Sequence, residues 1–155
     1  MSSPENPVDD SSFMKEALLE ARKAYRLGEV PVGAILVKEG LIVSRGYNQK
    51  ETFGDPTSHA EILTLKGAGL QLGHWRLSGT TLYVTLEPCP MCAGALVQAR
   101  VDRLVYGAED PKTGAVKSIY CITTDDRLNH SLEVTGGVME EACSSLLKEF
   151  FKNRR

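Results

Sequence analysis

Residues 80–107 read TTLYVTLEPCPMCAGALVQARVDRLVYG. The first seven, TTLYVTL, are rich in β-branched and aromatic residues and short enough for a buried strand. CPMCAGALVQAR (89–100) reads as a helix entered through Pro88, and DRLVYG (102–107) as another strand. Upstream, VGAILV and LIVSRG flank KEG (38–40), the pattern of a β-hairpin with a glycine-bearing turn. A helix is expected from about Ser12 to Leu27, where Phe13, Ala17, Ala21 and Tyr25 recur every four residues and Gly28 follows as a stop. A second helix begins near Ser58 and fades by Gly67 to Gly69. Residues 108–129 carry mixed signals and read as a loop with room for one short helix. LEVT (132–135) reads as a last strand, and Met139, Cys143, Leu146, Leu147 and Phe150 form the apolar stripe of a final helix. A hairpin followed by strand–helix alternation predicts an α/β fold, a mixed sheet with helices on both faces.

The bulk composition narrows the classes. A chain of 155 residues, 42% hydrophobic, suits one globular domain. MSSPENPVDDSS at the start is polar and proline-bearing, neither signal peptide nor basic targeting helix. Residues 1–11 therefore read as a flexible arm and 12–155 as a single domain. No run of about 18 apolar residues suggests a membrane span, so a cytoplasmic protein is expected. In that compartment the four cysteines, Cys89, Cys92, Cys121 and Cys143, point to metal binding or free thiols rather than disulfides. The net charge of -2 does not advertise a nucleic-acid binder, although the terminal KEFFKNRR is locally basic.

Two short stretches carry the chemistry. In LEPCPMC, Cys89 and Cys92 stand three apart at a strand–helix junction, so in a first helical turn they point the same way. The helix N-terminus favours thiolates, which are good zinc ligands. In DPTSHAEILTL (55–65), local rules alone give a bland reading: Asp55 with Pro56 as a helix start, and Ser58 with Glu61 as a capping box. No second C-x-x-C exists for a zinc ribbon, Cys143 lies on an apolar stripe, and His74 and His130 have no partner at ligand spacing. One imidazole and two thiolates, His59, Cys89 and Cys92, make the three-ligand set of an open catalytic zinc. H-x-E followed by P-C-x-x-C is the signature of zinc nucleobase deaminases, in which the glutamate, here Glu61, handles protons rather than metal.

The chain resembles the bacterial tRNA-specific adenosine deaminases (TadA type) of the cytidine deaminase-like superfamily. The matching stretches are GEVPVGAILV, GYN, DPTSHAEI, LYVTLEPCPMCAGAL, YGAEDPKTGA, LNH and a late FF, running from about Ser12 to Arg155. The resemblance implies a three-layer fold with a five-stranded mixed sheet between helices, and one zinc ion per subunit. It implies a homodimer acting on a tRNA anticodon stem-loop and turning the wobble adenosine into inosine with release of ammonia. By the same resemblance Asn48 bonds the target base, Val30 and Pro31 line its pocket, and Asp110, Lys112, Phe151 and Arg154 meet the anticodon loop. The backbone amide of Ala60 joins Asn48 in orienting the base. Glu61 would take a proton from the attacking water, pass it to ring nitrogen 1, and later protonate the departing amino group. A loop substrate suits this chemistry, because its base can be splayed into a pocket more cheaply than one flipped from a duplex. Two alternatives stay open at this point: a deaminase of a free base or nucleoside such as guanine or cytosine, and a non-catalytic RNA-binding subunit stabilised by zinc. Asn48 also fits a plain polar turn after the hairpin, and Phe150 a core anchor of the last helix.

Overall fold

The computed structural model describes residues 9–154. The chain order is helix α1 (Asp10–Arg26), strands β1 (Gly33–Lys38) and β2 (Leu41–Tyr47), helices α2 (Lys50–Phe53) and α3 (Ala60–Leu72), strand β3 (Thr80–Leu86), helix α4 (Pro90–Gln98), strands β4 (Arg103–Ala108) and β5 (Glu133–Thr135), and helix α5 (Glu140–Lys152). The strands form one sheet in the order β2-β1-β3-β4-β5. β1 is antiparallel to β2 and β3, whereas β3, β4 and β5 run parallel. The sheet is therefore mixed and five-stranded, as the alternation of elements predicts.

Strand periodicity assigns the two faces. Leu36, Leu82 and Leu104 stand in register across β1, β3 and β4 and point into one core, with Ala60 and Ala68 of α3 and Leu96 and Val97 of α4. Their neighbours Ile35, Tyr83 and Val105 form the next row and point to the other face, where Met14, Ala17 and Leu18 of α1 and Cys143 of α5 cover them. A period of two on three aligned strands thus yields three layers, with α3 and α4 on one side and α1 and α5 on the other. The β1–β2 hairpin closes through Glu39 and Gly40, both at positive φ (52° and 79°), a turn that matches the twist of its strands.

The structure corrects three local expectations. Helix α1 starts at Asp10, ahead of the expected Ser12, with Asp9 as its cap, the Asp9 carboxylate accepting from the Ser12 N–H at 2.9 Å; residues 1–8 of the expected arm lie outside the described residues. Helix α3 does not fade at Gly67 but continues to Leu72 and ends on Gly73 in the left-handed conformation. Gly67 is there because α3 lies close on β2: a Cβ would fall 2.5 Å from Ser44 Oγ. Asp55–Pro56 and Ser58 do not start that helix. The Asp55 carboxylate accepts from Thr57 N–H and from the Thr57 and Ser58 hydroxyls, closing a separate turn, and His59 takes the cap position. The 108–129 segment contains one 3-10 turn at Ile122–Thr124, within the room left for a short helix.

Candidate active site

Helices α3 and α4 bring their N-termini to the same place. His59 and Cys89 are the N-cap residues, and neither side chain makes the usual capping bond to its helix. Pro90, at the first position of α4, has no N–H to satisfy and enters the helix without cost. Cap side chains freed in this way can face each other. His59 Nδ1 lies 3.7 Å from Cys89 Sγ and 3.5 Å from Cys92 Sγ, and the three donor atoms all lie within 4.8 Å of one another. A tetrahedral zinc with bonds of about 2.3 Å to sulfur and about 2.05 Å to nitrogen would hold N and S about 3.6 Å apart. The donor set and its spacing therefore fit zinc, with three protein ligands and one corner left for a small molecule.

The remaining soft ligands are occupied or remote. His130 Nε2 donates to the Val101 carbonyl at 2.6 Å, and His74 Nδ1 accepts from Arg76 N–H. Cys143 is buried on α5, where burial pushes its thiol up to about 12, and Cys121 is exposed.

Proton affinities in the cluster are strongly perturbed. A hydrogen bond from Cys92 brings the Cys89 thiol down to about 4, against the opposing effect of burial. The same bond, together with burial, raises Cys92. His59 is raised, chiefly by its contact with Cys89. Burial pushes Glu61 up to about 7, with the charge on Cys89 adding to the rise. Glu61 is 4% exposed and sits in the first turn of α3, where the helix N-terminus favours a carboxylate. It is a buried carboxyl beside a metal-donor set to which it does not belong.

His59, Glu61 and Cys89 line a cleft of about 140 Å³ with Val30, Val32, Asn48, Lys50, Ala60, Leu86, Glu87, Asp110 and Thr113. Asn48 is buried, and its amide is held at both ends: Nδ2 donates to the Val30 carbonyl at 3.2 Å and Oδ1 accepts from Lys50 N–H at 3.1 Å. An amide has a second hydrogen and a second lone pair, so this polar turn can bond a ligand as well. Pro31 is buried behind Val30 and Val32 and does not reach the cleft. Lys112 is exposed on the turn that Asp110 organises by accepting from Lys112 and Thr113. Phe151 is 53% exposed at the end of α5, and Arg154 lies 4.3 Å over the Phe150 ring; neither lines the cleft. Phe150 is buried, as the core reading expects.

Two buried glutamates escape sequence reasoning. Glu29 accepts from the N–H groups of Glu51 and Thr52 and from the Thr52 hydroxyl, tying down α2 beside Asn48. Glu87 does the same for the segment after β4; its bonds from Ser118 and from several backbone N–H groups outweigh burial and hold it at about 2. The available signal was an acidic residue at the border of an apolar strand and a proline. A larger apolar groove of about 750 Å³ runs between α3 and α4, with Leu70 and Trp75 exposed at 87% and 59%, and holds none of the metal donors.

Residues 8–155 match the family model described as MafB19-like deaminase. Among curated relatives, the tRNA-specific adenosine deaminase of Bacillus subtilis is 50% identical over 148 residues, covering 96% of this chain and 92% of that protein. The enzyme of the same name from Haemophilus influenzae is 49% identical over 147 residues, 94% of this chain and 85% of that one. A solved structure from a study of A-to-I editing by tRNA:A34 deaminases at the wobble position of transfer RNA superposes with a TM-score of 0.84 at 45% identity, covering 86% of this chain and 97% of that chain.

Proposed function

The chain belongs to the MafB19-like deaminases and, among them, to the tRNA-specific adenosine deaminases, and on that premise we propose that it converts the wobble adenosine of a tRNA anticodon to inosine with one zinc ion per subunit. The observation that carries this reading is the meeting of His59, Cys89 and Cys92 around one point, with the buried Glu61 beside them.

His59 Nδ1 and the two thiolates would hold the ion. When bound, it supplies Lewis acidity that makes water a nucleophile near neutral pH. The chain's own residues do the rest. Glu61 accepts the water proton as oxygen bonds to carbon 6 of adenine, and delivers it to ring nitrogen 1. It then takes the proton of the new carbon 6 hydroxyl and gives it to the leaving amino group as the carbon–nitrogen bond breaks, so adenosine and water give inosine and ammonia. The Ala60 N–H, at the first position of α3, has no intrahelical partner and can donate to the base, as can the fixed Asn48 amide. A cleft of about 140 Å³, below the roughly 300–1,000 Å³ of drug-sized pockets, suits a single splayed base rather than a whole nucleotide.

Val30 is assigned to the pocket wall, with Pro31 behind it as a support that does not line the cleft, and Asp110, Lys112, Phe151 and Arg154 to the flanking anticodon loop. Lys112 stands exposed on the turn whose Asp110 and Thr113 line the cleft, and Phe151 presents an open ring for stacking. A second copy is assigned to the α3–α4 groove, whose exposed Leu70 and Trp75 make an apolar face of the kind that marks an interface. Sedimentation analysis tests the dimer. No helix among the described residues is long and apolar enough to cross a membrane, in keeping with a cytoplasmic place of work.

The deciding experiment incubates purified protein with a tRNA bearing a wobble adenosine and, in parallel, with free adenosine, guanine and cytosine. Nucleoside mass spectrometry should find inosine in the tRNA. Turnover of a free base with the tRNA untouched would overturn the substrate assignment.

A further inference from the structure

Glu87 directly follows β3, two residues before Cys89, is 2% exposed, and takes no part in the chemistry above. Its carboxylate faces the segment that follows β4. Oε1 accepts from the N–H of Asp110 at 3.0 Å and from the Ser118 hydroxyl. Oε2 accepts from the N–H groups of Val116 (3.1 Å), Lys117 (2.8 Å) and Ser118 (2.9 Å). No lysine or arginine pairs with it among the described residues, so a buried negative charge is met by the dipoles of one loop. Carboxylate bonds of this kind are about twice as strong as neutral ones. The chain also passes directly over the carboxyl: a Cβ at Gly114 would lie 2.3–2.5 Å from its atoms, so only glycine fits. Two backbone bonds close the same junction, Glu87 N–H to Ala108 O and Ala115 N–H to Pro88 O, both 2.8 Å.

The held segment contains Asp110 and Thr113, which line the cleft, and Lys112, which is exposed beside them. We propose that Glu87 is a positioning residue for substrate recognition, anchoring the 110–118 segment to the strand end that delivers Cys89 and Cys92. This rests on the tRNA reading for the identity of the substrate. Losing the anchor frees the recognition wall while leaving His59, Cys89, Cys92 and Glu61 in place.

The test compares wild type with Glu87→Gln, which keeps the side chain's size but turns an NH2 donor toward a set of N–H donors. The substrate is an anticodon stem-loop RNA with a wobble adenosine. KM should rise about tenfold or more, since at least one charged hydrogen bond is lost, with kcat nearly unchanged and one zinc retained per subunit. Amide hydrogen exchange at 116–118 should lose protection. Gly114→Ala, which strikes the same carboxylate without altering its charge, should give the same split. Should both fail to fold, Ser118→Ala removes a single bond and should show a smaller shift in KM alone. Wild-type KM and wild-type protection in Glu87→Gln would overturn the proposal, as would metal loss, or a fall in kcat with KM unchanged. A wild-type enzyme inert on the stem-loop instead defeats the substrate reading, and the exchange measurement still decides whether Glu87 anchors the segment.

Discussion

The cleft has two walls built on different terms. One is made by the N-termini of α3 and α4, where His59, Glu61, Cys89 and Cys92 project from the first turns of helices that are packed into the core. The other is made by α2, which buries no side chain, and by the 110–118 segment, which sends Ala115 and Val116 into the core; both are tied down by the carboxylates of Glu29 and Glu87. The wall that performs chemistry is rigid because its helices are rigid. The wall facing the rest of the substrate adds polar tethers that span 22 to 31 residues. Catalysis and recognition should therefore separate under mutation.

The largest break in this contrast should come from Cys92→Ala. Losing one of three protein ligands should empty the site and bring deamination to background, read by metal analysis beside a rate assay. Next comes Glu61→Gln, which should keep the metal and lower kcat by about 10²–10⁴-fold, the usual worth of a general acid–base group; near-wild-type turnover would remove Glu61 from the mechanism. Glu29→Gln belongs to the other wall. It should cost about tenfold in kcat/KM from weakened bonds to α2, with the amides of Glu51 and Thr52 opening to exchange while metal content stays whole. Smallest for activity is Asp10→Asn, far from both walls. Arg103 forks onto Asp10 at 2.9 and 2.7 Å, and the Tyr83 hydroxyl donates to it. Thermal unfolding should report a loss of about 1–2 kcal/mol with unchanged activity per folded molecule. The Arg103 bonds hold the Asp10 carboxyl below its ordinary 3.8, so this contribution is complete above that value and is lost as the pH falls beneath it.

The same contrast explains what could be read from the residues. His-x-Glu and Pro-Cys-x-x-Cys are contiguous, and each residue type has a distinct task, so the donor wall is legible as text. The sheet is legible too, because Leu36, Leu82 and Leu104 alternate with Ile35, Tyr83 and Val105 and those periods survive into the packing. Helix α2 is not legible: four residues without an apolar face take shape only because Glu29 and Asn48 receive their N–H groups. Asp55 and Ser58 looked like a helix start because the residues that close a turn are the ones that cap a helix. Nothing local distinguishes the two; the packing of Ala60 into the core decides where α3 begins.

Leu86 and Ala108 stand opposite each other at the ends of parallel strands β3 and β4. The metal-donor pair leaves the sheet from one of these points and the segment we propose for recognition from its neighbour. Because the stretch after Ala108 is pinned at Asp110, at Gly114 and again at 116–118, the exposed residues 111–113 between the pins can be rewritten as a cassette. A lineage built on this frame could trade one base-bearing molecule for another without ever passing through a form that has lost its metal.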